Sequence, residues 1–186
     1  MKKIFLNSVS MLLVMILLAG VVYPLAVGLI GTVFFSRQAQ GSLIYKEGKL
    51  VGSELLQQNF VRENYFWGRP SASDFATTPS GASNLGPTSQ KLKDRVAASM
   101  KRLGITEDAK DKPYELLLAS GSGIDPHISP ATAHYQIDRI SRSRGLDRAA
   151  IEALIVKNTE DSTLGVFGRP RVNVLKLNLA LDALAK

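Results

Sequence analysis

The sequence predicts an α+β chain: a single N-terminal transmembrane helix followed by one compact mixed α/β extracytoplasmic domain. No charged residue occurs between Ile4 and Ser36, whereas charges are spread through the rest of the 186-residue chain. Beyond residue 42, short strand-like segments alternate with segments whose apolar residues recur at helical spacing. The predicted boundaries are an anchor at 1–36, a linker at 37–42 and a domain at 43–186.

The membrane span is predicted at residues 11–35, which form an apolar run with few polar interruptions. As a helix this run would measure about 37 Å, compared with about 30 Å for the hydrocarbon core of a bilayer. Pro24 gives a reason for a kink. The run is longer than the apolar region of a cleaved signal peptide, which is about 7–15 residues. A permanent anchor is therefore expected.

The orientation of the anchor is predicted from its flanking charges. Lys2 and Lys3 lie at one end, and Arg37 is the only charge close to the other. Because basic residues are retained on the cytoplasmic side, the N-terminus is expected in the cytoplasm and the domain outside.

Small residues recur along one side of the predicted span. Gly20, Pro24 and Gly28 are spaced by four, with Gly31 nearby. Such a face permits close backbone approach between helices in lipid, although glycine and proline are also commoner in membrane helices in general. These four residues are the candidate surface for packing against a partner helix.

Composition excludes several classes of function. The net charge is +7, and the first 40 residues hold three of the 23 basic residues and none of the 16 acidic ones. The rest of the chain is too mildly and too evenly charged for a nucleic-acid binder. The absence of cysteine removes disulfides, thiol chemistry and cysteine-ligated metals.

Local signals place the elements of the domain. An amphipathic helix after Ser89 ends at Gly104, and a longer helix after Ser129 ends at Gly145. The remaining predicted elements are a hairpin at 43–51, an aromatic segment at 64–70, an ordered loop at 71–87, a buried strand at 113–118, a helix capped by Asp147, a turn at 165–170 and an apolar last helix capped by Asn173. The aromatic segment has two interpretations: Arg69 stacks on Trp67 or a neighbouring ring, or the cluster is part of the core with a polar edge, which is the commoner arrangement.

The loop at 119–130, ASGSGIDPHISP, has the least ordinary composition in the domain. Ser120, Gly121, Ser122 and Gly123 are able to expose consecutive backbone N–H groups, which predicts a weak anion-binding nest. The spacing of glycines is not that of a P-loop, and the Lys-Ser/Thr pair is missing. The alternative is a rigid crossover loop that seats the following helix.

Catalysis is the other interpretation of this loop. An anchored hydrolase would use Ser122, Asp125 and His127 as its candidate catalytic residues. A metal site would use Asp125, His127 and His134 as its candidate ligands. Neither set reproduces a known spacing, so no catalytic residue and no metal ligand is predicted. A solitary anchored ligand-binding domain remains a third alternative.

Four motifs together resemble one family. They are YFWGRPSA at 65–72, SNLGPT at 83–88, ASGSGIDPHISP at 119–130 and VNVLKLNLALD at 172–182. In this order, behind a single N-terminal anchor, they are similar to the C subunit of the bacterial Kdp potassium-transporting P-type ATPase. Ile124 stands where leucine is expected, and Arg169 in the turn is less usual.

The resemblance implies a function that the composition does not. It implies a non-catalytic accessory subunit needed for assembly of a high-affinity, ATP-driven potassium uptake complex. The implied partners are a channel-like subunit, a P-type ATPase subunit and a small membrane subunit. It also implies that the chain acts as a catalytic chaperone, which raises the affinity of the pump subunit for ATP. ATP is therefore an expected ligand of the complex because of the resemblance, and not because of a motif in this sequence.

Overall fold

A computed structural model describes residues 1–184. The chain divides into two compact units, Met1–Ile44 and Tyr45–Lys186. The first unit is almost entirely helical, and the second mixes helices with short antiparallel strands. The predicted α+β class is confirmed.

The first unit contains one helix that is long and apolar enough to cross a membrane, Lys2–Phe34, with a mean hydropathy of 2.6 over its most apolar window. It comprises α1 (Lys2–Met15), a π-helical segment (Ile16–Val22) and α2 (Tyr23–Phe34). In the π-helical segment, the N–H of Tyr23 donates to the carbonyl of Leu18, five residues back. Pro24 is the second residue of α2, two positions after the end of this segment. Because its ring crowds the carbonyl four residues earlier, the wider turn accommodates it without ending the helix.

The segment after the long helix begins with a break at Phe35, whose φ of −132° is not helical. The short helix α3 (Ser36–Ala39) follows, within what the sequence predicts as a linker. The predicted hairpin then forms from β1 (Leu43–Lys46) and β2 (Lys49–Ser53). Gly48 adopts a φ of +76° in its turn, which glycine allows without steric cost.

Two predicted elements between the hairpin and the 119–130 loop have different outcomes. The amphipathic helix is confirmed as α4 (Gln90–Leu103), with Gly104 left-handed at its C-cap. The predicted strand at 113–118 is wrong, because the segment forms the short helix α5 (Tyr114–Leu117) with Leu116 and Leu117 buried. A short apolar run fits a buried strand or a buried helical turn equally well.

The C-terminal half consists of four helices around a three-stranded antiparallel sheet of order β3-β5-β4. The register pairs His127 with Asn173 and Thr159 with Val172. The elements are β3 (His127–Ile128), α6 (Pro130–Tyr135), α7 (Ile137–Arg144), α8 (Arg148–Lys157), β4 (Thr159–Glu160), β5 (Arg171–Asn173) and α9 (Val174–Leu184).

The predicted helix after Ser129 is present but broken in two at Gln136. Ser129 caps it as expected, its hydroxyl accepting from the N–H of Thr132 at 3.3 Å, and Gly145 ends α7 in a left-handed conformation. Asn173 caps α9 as predicted, accepting from the N–H of Lys176 at 3.1 Å.

The hydrophobic core joins these helices to one irregular segment. Apolar residues that the sequence predicts to face inward from α6, α7, α8 and α9 are buried, and they pack together with Phe66 of the aromatic segment. The cluster comprises Phe66, Ile128, Ala133, Ile137, Ile140, Ile151, Leu154, Ile155, Val172, Val174, Leu177 and Leu181. The apolar face of α4 is only half buried, and no residue of that helix is fully buried.

Candidate functional site

Three of the four motifs quoted above meet in the second unit. The aromatic segment 65–72 is bonded to α9, the 119–130 loop is bonded to the start of α9, and Arg69 joins the aromatic segment to that loop. The N–H of Val174 donates to the carbonyl of Pro126 at 2.9 Å, directly after the β3–β5 pair. The candidate site is therefore built on residues far apart in sequence.

Two buried side-chain amides hold the aromatic segment in place. Asn178 on α9 accepts from the N–H of Phe66 at 2.8 Å and donates to its carbonyl at 3.0 Å. Gln136 does the same for Trp67, at 2.8 Å and 3.0 Å. Both amides are buried, so each supplies the two backbone partners that a neighbouring strand would supply.

Gly68, the next residue of the aromatic segment, lies close to the side chain of Gln57. A Cβ at this position would lie 2.9 Å from Cδ of Gln57, whose amide nitrogen donates to the carbonyl of Arg69 at 2.5 Å. A larger residue at this position would therefore have to displace the amide of Gln57 from its hydrogen bond to Arg69.

Trp67 lies under two guanidinium groups. Cζ of Arg139 lies 3.7 Å from the centroid of its ring and Cζ of Arg102 lies 4.0 Å from it. Burial, together with the nearby charge of Arg102, lowers the pKa of Arg139 to about 10. Of the two interpretations of the aromatic segment, stacking by Arg69 is wrong: Arg102 and Arg139 lie over the ring, whereas Arg69 donates to the carbonyls of Leu118 and Ala119. The other, a core cluster with a polar edge, agrees with the burial of Phe66 and Trp67.

One backbone amide of the predicted nest, that of Gly123, is used within the loop, and the two residues after the nest donate to the hydroxyls of its serines. The N–H of Gly123 donates to the carbonyl of Ser120, that of Ile124 to Oγ of Ser122, and that of Asp125 to Oγ of Ser120. Gly121 and Ser122 are exposed, while Ser120 is buried. The anion-binding role of 120–123 stays a prediction, and Gly121 and Ser122 are the exposed residues of this set.

Gly123 has a steric role of its own in this loop. Its φ is +74°, and a Cβ there would lie 2.8 Å from the carbonyl oxygen of Gly81. The 119–130 loop is thus packed directly against the long loop that follows the aromatic segment. This close approach requires glycine at residue 123.

Asp125 and His127 form a pair, with Nδ1 of His127 3.5 Å from Oδ1 of Asp125. The hydrogen bond from His127 lowers the pKa of Asp125, against an opposing effect of burial. Oγ of Ser122 accepts from the N–H of Ile124, and in the described chain no hydrogen bond joins it to His127. The structure therefore brings together two of the three residues considered for a hydrolase.

A cleft of about 860 Å³ opens beside this pair. Glu115 lies in it and accepts from the N–H and the hydroxyl of Ser129, both at 2.8 Å. Burial alone would raise the pKa of Glu115, but the hydrogen bonds from Ser129 and Thr132 outweigh it and the pKa is lowered. Glu115 is thereby kept ionised at the start of α6, where it fixes the helix cap.

His134 lies apart from the Asp125–His127 pair. Its Nδ1 lies 2.7 Å from the carbonyl of Pro130, and its Nε2 lies 3.9 Å from a carboxylate oxygen of Glu152. Over residues 1–184, no group of three or more histidine and carboxylate side chains is close enough to hold a metal ion.

Asp182 organises a second cluster of charges on α9. It accepts from Arg144 at 2.8 Å, and from Lys46 and the hydroxyl of Tyr65 at 3.3 Å each. Burial opposes ionisation of Asp182, but these hydrogen bonds and charges lower its pKa. The hairpin, the aromatic segment, α7 and α9 are thereby joined at one carboxylate.

The glycines of the long helix leave open space beside the backbone. A Cβ at Gly28 or Gly31 would meet no atom within 4 Å, and one at Gly20 would meet only Ile16 of the same helix at 3.9 Å. Within residues 1–184, no other part of the chain lies against Gly20, Gly28 or Gly31, and the packing role of the face that they form with Pro24 stays a prediction.

Comparison with known proteins identifies the family. The family model described as "K+-transporting ATPase, c chain" (KdpC) matches residues 5–183. The chain belongs to the KdpC family. A Potassium-transporting ATPase KdpC subunit of Polaromonas naphthalenivorans is 47% identical over 189 residues, which cover 99% of this chain and 96% of that protein. The KdpC subunit of Methylococcus capsulatus is 47% identical, with 97% of each chain covered. That of Sorangium cellulosum is 48% identical, covering 94% of this chain and 95% of its own.

Sequence reasoning missed the polar residues that hold the site together, although a signal for two of them exists. Gln136, at the break between α6 and α7, and Asn178 on α9 each lie among buried apolar residues, next to Ile137 and Leu177. A buried amide at such a position must find hydrogen-bond partners, so it indicates a nearby irregular backbone. The identity of that backbone, Phe66 and Trp67, is visible only in the structure.

Proposed function

We propose that this chain is a non-catalytic accessory subunit of an ATP-driven potassium uptake complex, required for assembly and stability of that complex. The observation that carries the proposal is the family match over residues 5–183, which includes both the apolar helix and the domain. The relatives are named as subunits of a potassium-transporting ATPase. The proposed partners are the channel-like, P-type ATPase and small membrane subunits.

The proposed orientation places the N-terminus in the cytoplasm and the domain outside the inner membrane of a bacterium. Its support is the charge asymmetry of Lys2 and Lys3 against the lone Arg37 at the other end of the helix. On this orientation, the domain is separated from cellular ATP by the membrane. An effect on the ATP affinity of the pump subunit, as a catalytic chaperone, is therefore indirect and passes through the helix or through assembly.

The proposed attachment point in the membrane is the face formed by Gly20, Pro24, Gly28 and Gly31. Its support is the spacing by four of Gly20, Pro24 and Gly28, which places small residues on one side of the helix, where a helix of another subunit is able to approach closely. Close backbone approach there adds van der Waals contacts that larger side chains would prevent.

The test is the double variant Gly20→Leu/Gly28→Leu, compared with the matched variant Ala26→Leu/Val33→Leu elsewhere on the same helix. The glycine variant should co-purify with the other ATPase subunits about tenfold less than the wild-type chain, with unchanged insertion into membranes. The matched variant should co-purify normally. Equal co-purification of both variants would remove the packing face, and absence of ATPase subunits from the wild-type preparation would remove the proposed function itself.

A further inference from the structure

A cavity of about 420 Å³ lies beside Trp67 and is lined by residues of α4, α6 and α7. The two arginines that lie over the ring of Trp67, Arg102 on α4 and Arg139 on α7, form part of its wall. Neither Asp125 nor His127 lines it. The titratable side chains of its lining, apart from Tyr135, are Arg102, Arg139, Arg142, His134, Glu63 and Asp138.

The positive charge of this lining is not balanced by the chain itself. Asp138 pairs with Arg148, which lies outside the cavity, so Glu63 is the remaining acid of the lining. Within residues 1–184, no carboxylate lies within ion-pair distance of the three lining arginines. Burial, together with the charge of Arg102, lowers the pKa of Arg139 to about 10, an effect that Glu63 opposes only in part. The cavity therefore carries an excess of positive charge.

The two guanidinium groups over the tryptophan ring also have N–H donors to spare. The side chain of Arg102 makes one long hydrogen bond within the described chain, from Nη2 to the carbonyl of Val61 at 3.5 Å. Arg139 donates to the carbonyl of Glu63 and to Oε1 of Gln136. Since a guanidinium carries more N–H donors than these bonds use, both groups are able to bind a further acceptor.

We propose that this cavity binds a free phosphate-type oxyanion, held by Arg102 from α4 and by Arg139 and Arg142 from α7. The planar fork of a guanidinium matches two oxygens of such an anion, and charge-assisted bonds of this kind are stronger than bonds to carbonyls. Arg139 and Arg142 are three positions apart, so they are neighbours on the surface of α7. A tetrahedral anion has enough oxygens to accept from all three arginines. The site is independent of the proposed function, because no partner subunit takes part.

The bound anion joins a peripheral helix to the core. No residue of α4 is fully buried, whereas Ile137 and Ile140 of α7 belong to the hydrophobic cluster. An anion that needs both helices in place binds the closed state of α4 and not the open one. The opening equilibrium of α4 therefore falls as the concentration of free anion rises above its dissociation constant.

The first experiment measures binding of inorganic phosphate to the full chain in neutral detergent, by calorimetry and by hydrogen exchange of α4. At about ten times the dissociation constant, exchange in α4 should be about tenfold slower. Sodium chloride at equal ionic strength is the control, since salt alone screens the repulsion between the arginines, and it should not reproduce the effect. Absence of binding, or equal effects of phosphate and chloride, would overturn the proposal.

A lipid headgroup offers the same chemistry, and phosphatidylglycerol added to the detergent tests this source. Its phosphate is a diester with only two unsubstituted oxygens for three guanidiniums, so it should not replace inorganic phosphate. Protection of α4 by the lipid and not by inorganic phosphate would contradict a site for a free anion.

The second experiment compares Arg142→Gln with Arg95→Gln. Both wild-type side chains are exposed, and both variants remove one positive charge, but only Arg142 lines the cavity. Arg142→Gln should weaken phosphate binding by about tenfold, because it removes a charge-assisted contact, and Arg95→Gln should leave binding unchanged. Equal affinities in the two variants, whether both are reduced or neither is, would overturn the site. Such a result would leave the proposed function standing.

Discussion

The side-chain amides of Gln136 and Asn178 take the place of a neighbouring strand for Phe66 and Trp67. The aromatic segment lies outside any sheet, yet its backbone is buried between α7 and α9. A buried peptide group without partners is destabilising by about 1–3 kcal/mol for each unmade hydrogen bond. At the scale of single residues, these amides are therefore the most sensitive points of the domain.

We predict that Asn178→Ala lowers the free energy of unfolding by about 2–4 kcal/mol, because it leaves both the N–H and the carbonyl of Phe66 unpaired. Unfolding of the full chain in detergent is followed by the fluorescence of Trp67, the only tryptophan. The control is Asn158→Ala, which removes one half-buried bond to the carbonyl of Leu154 and should have an effect of about 1 kcal/mol. Equal losses in the two variants would contradict the role assigned to Asn178.

A second residue-scale prediction concerns Asp125. Its hydrogen bond from His127 lowers its pKa in the folded chain below the ordinary value of 3.8, so the folded state binds the proton less readily than the unfolded state. The resulting stabilisation is present above pH 3.8 and is lost as the pH falls through the lower pKa of the folded state.

Asp125→Asn keeps an oxygen for the N–H of His127, which Asp125 binds at 3.0 Å, but removes the charge. The variant should therefore be less stable than the wild-type chain at neutral pH and should show a shallower loss of stability in acid. Unfolding midpoints measured between about pH 2 and pH 7 test this. Parallel pH profiles for the two chains would show that Asp125 contributes no pH dependence.

At the scale of elements, α4 depends on a cation–π contact rather than on deep burial. None of its residues is fully buried, and Arg102 on its last turn reaches over Trp67. Burial lowers the pKa of this arginine, which accords with its partial withdrawal from solvent. The contact joins a peripheral helix to the aromatic segment that α7 and α9 hold.

We predict that Arg102→Ala loosens α4 without unfolding the domain. Loss of a partly exposed cation–π contact corresponds to about 1 kcal/mol, or about a fivefold rise in the local opening equilibrium. Hydrogen exchange should therefore accelerate in α4 and remain unchanged in α9. Arg95→Ala on the exposed side of α4 is the matched control, and Arg102→Lys should restore part of the protection. Uniform acceleration in both helices would instead indicate global destabilisation.

At the scale of the whole molecule, the direction in which the long helix crosses the membrane decides how the domain acts. Lys2 and Lys3 outweigh Arg37, and the span between them carries no charge. The positive-inside bias acts directly on a single span, because no other helix within residues 1–184 is long and apolar enough to compete with it.

We predict that a reporter enzyme that works only outside the cytoplasm is active when it is fused after Lys186. A reporter that works only in the cytoplasm should be inactive at the same position. The matched control fuses the first of these reporters before Met1, where it should be inactive. Replacing Lys2 and Lys3 with glutamate should then shift a measurable fraction of chains to the opposite orientation. Cytoplasmic activity of the C-terminal fusion would show the opposite orientation. The 119–130 loop would then lie on the same side of the membrane as cellular ATP, and direct contact between them would become possible.

The sequence alone determined the features that depend on local chemistry. The apolar helix follows from an uncharged run, and the ends of α4, α7 and α9 follow from Gly104, Gly145 and Asn173, because caps and left-handed glycines act within a few residues. The hairpin at β1 and β2 follows from its glycine turn for the same reason.

Only the tertiary structure decided which distant residues meet. The stacking of Arg102 and Arg139 on Trp67, and the pairing of Asn178 with Phe66, join positions separated by 35 to 112 residues, for which periodicity carries no information. The same is true of the helical form of α5, since an apolar run of that length is compatible with strand or helix until its packing partners are known. These contacts, and the helical form of α5, are determined by long-range hydrogen bonds and by burial, which depend on the whole fold.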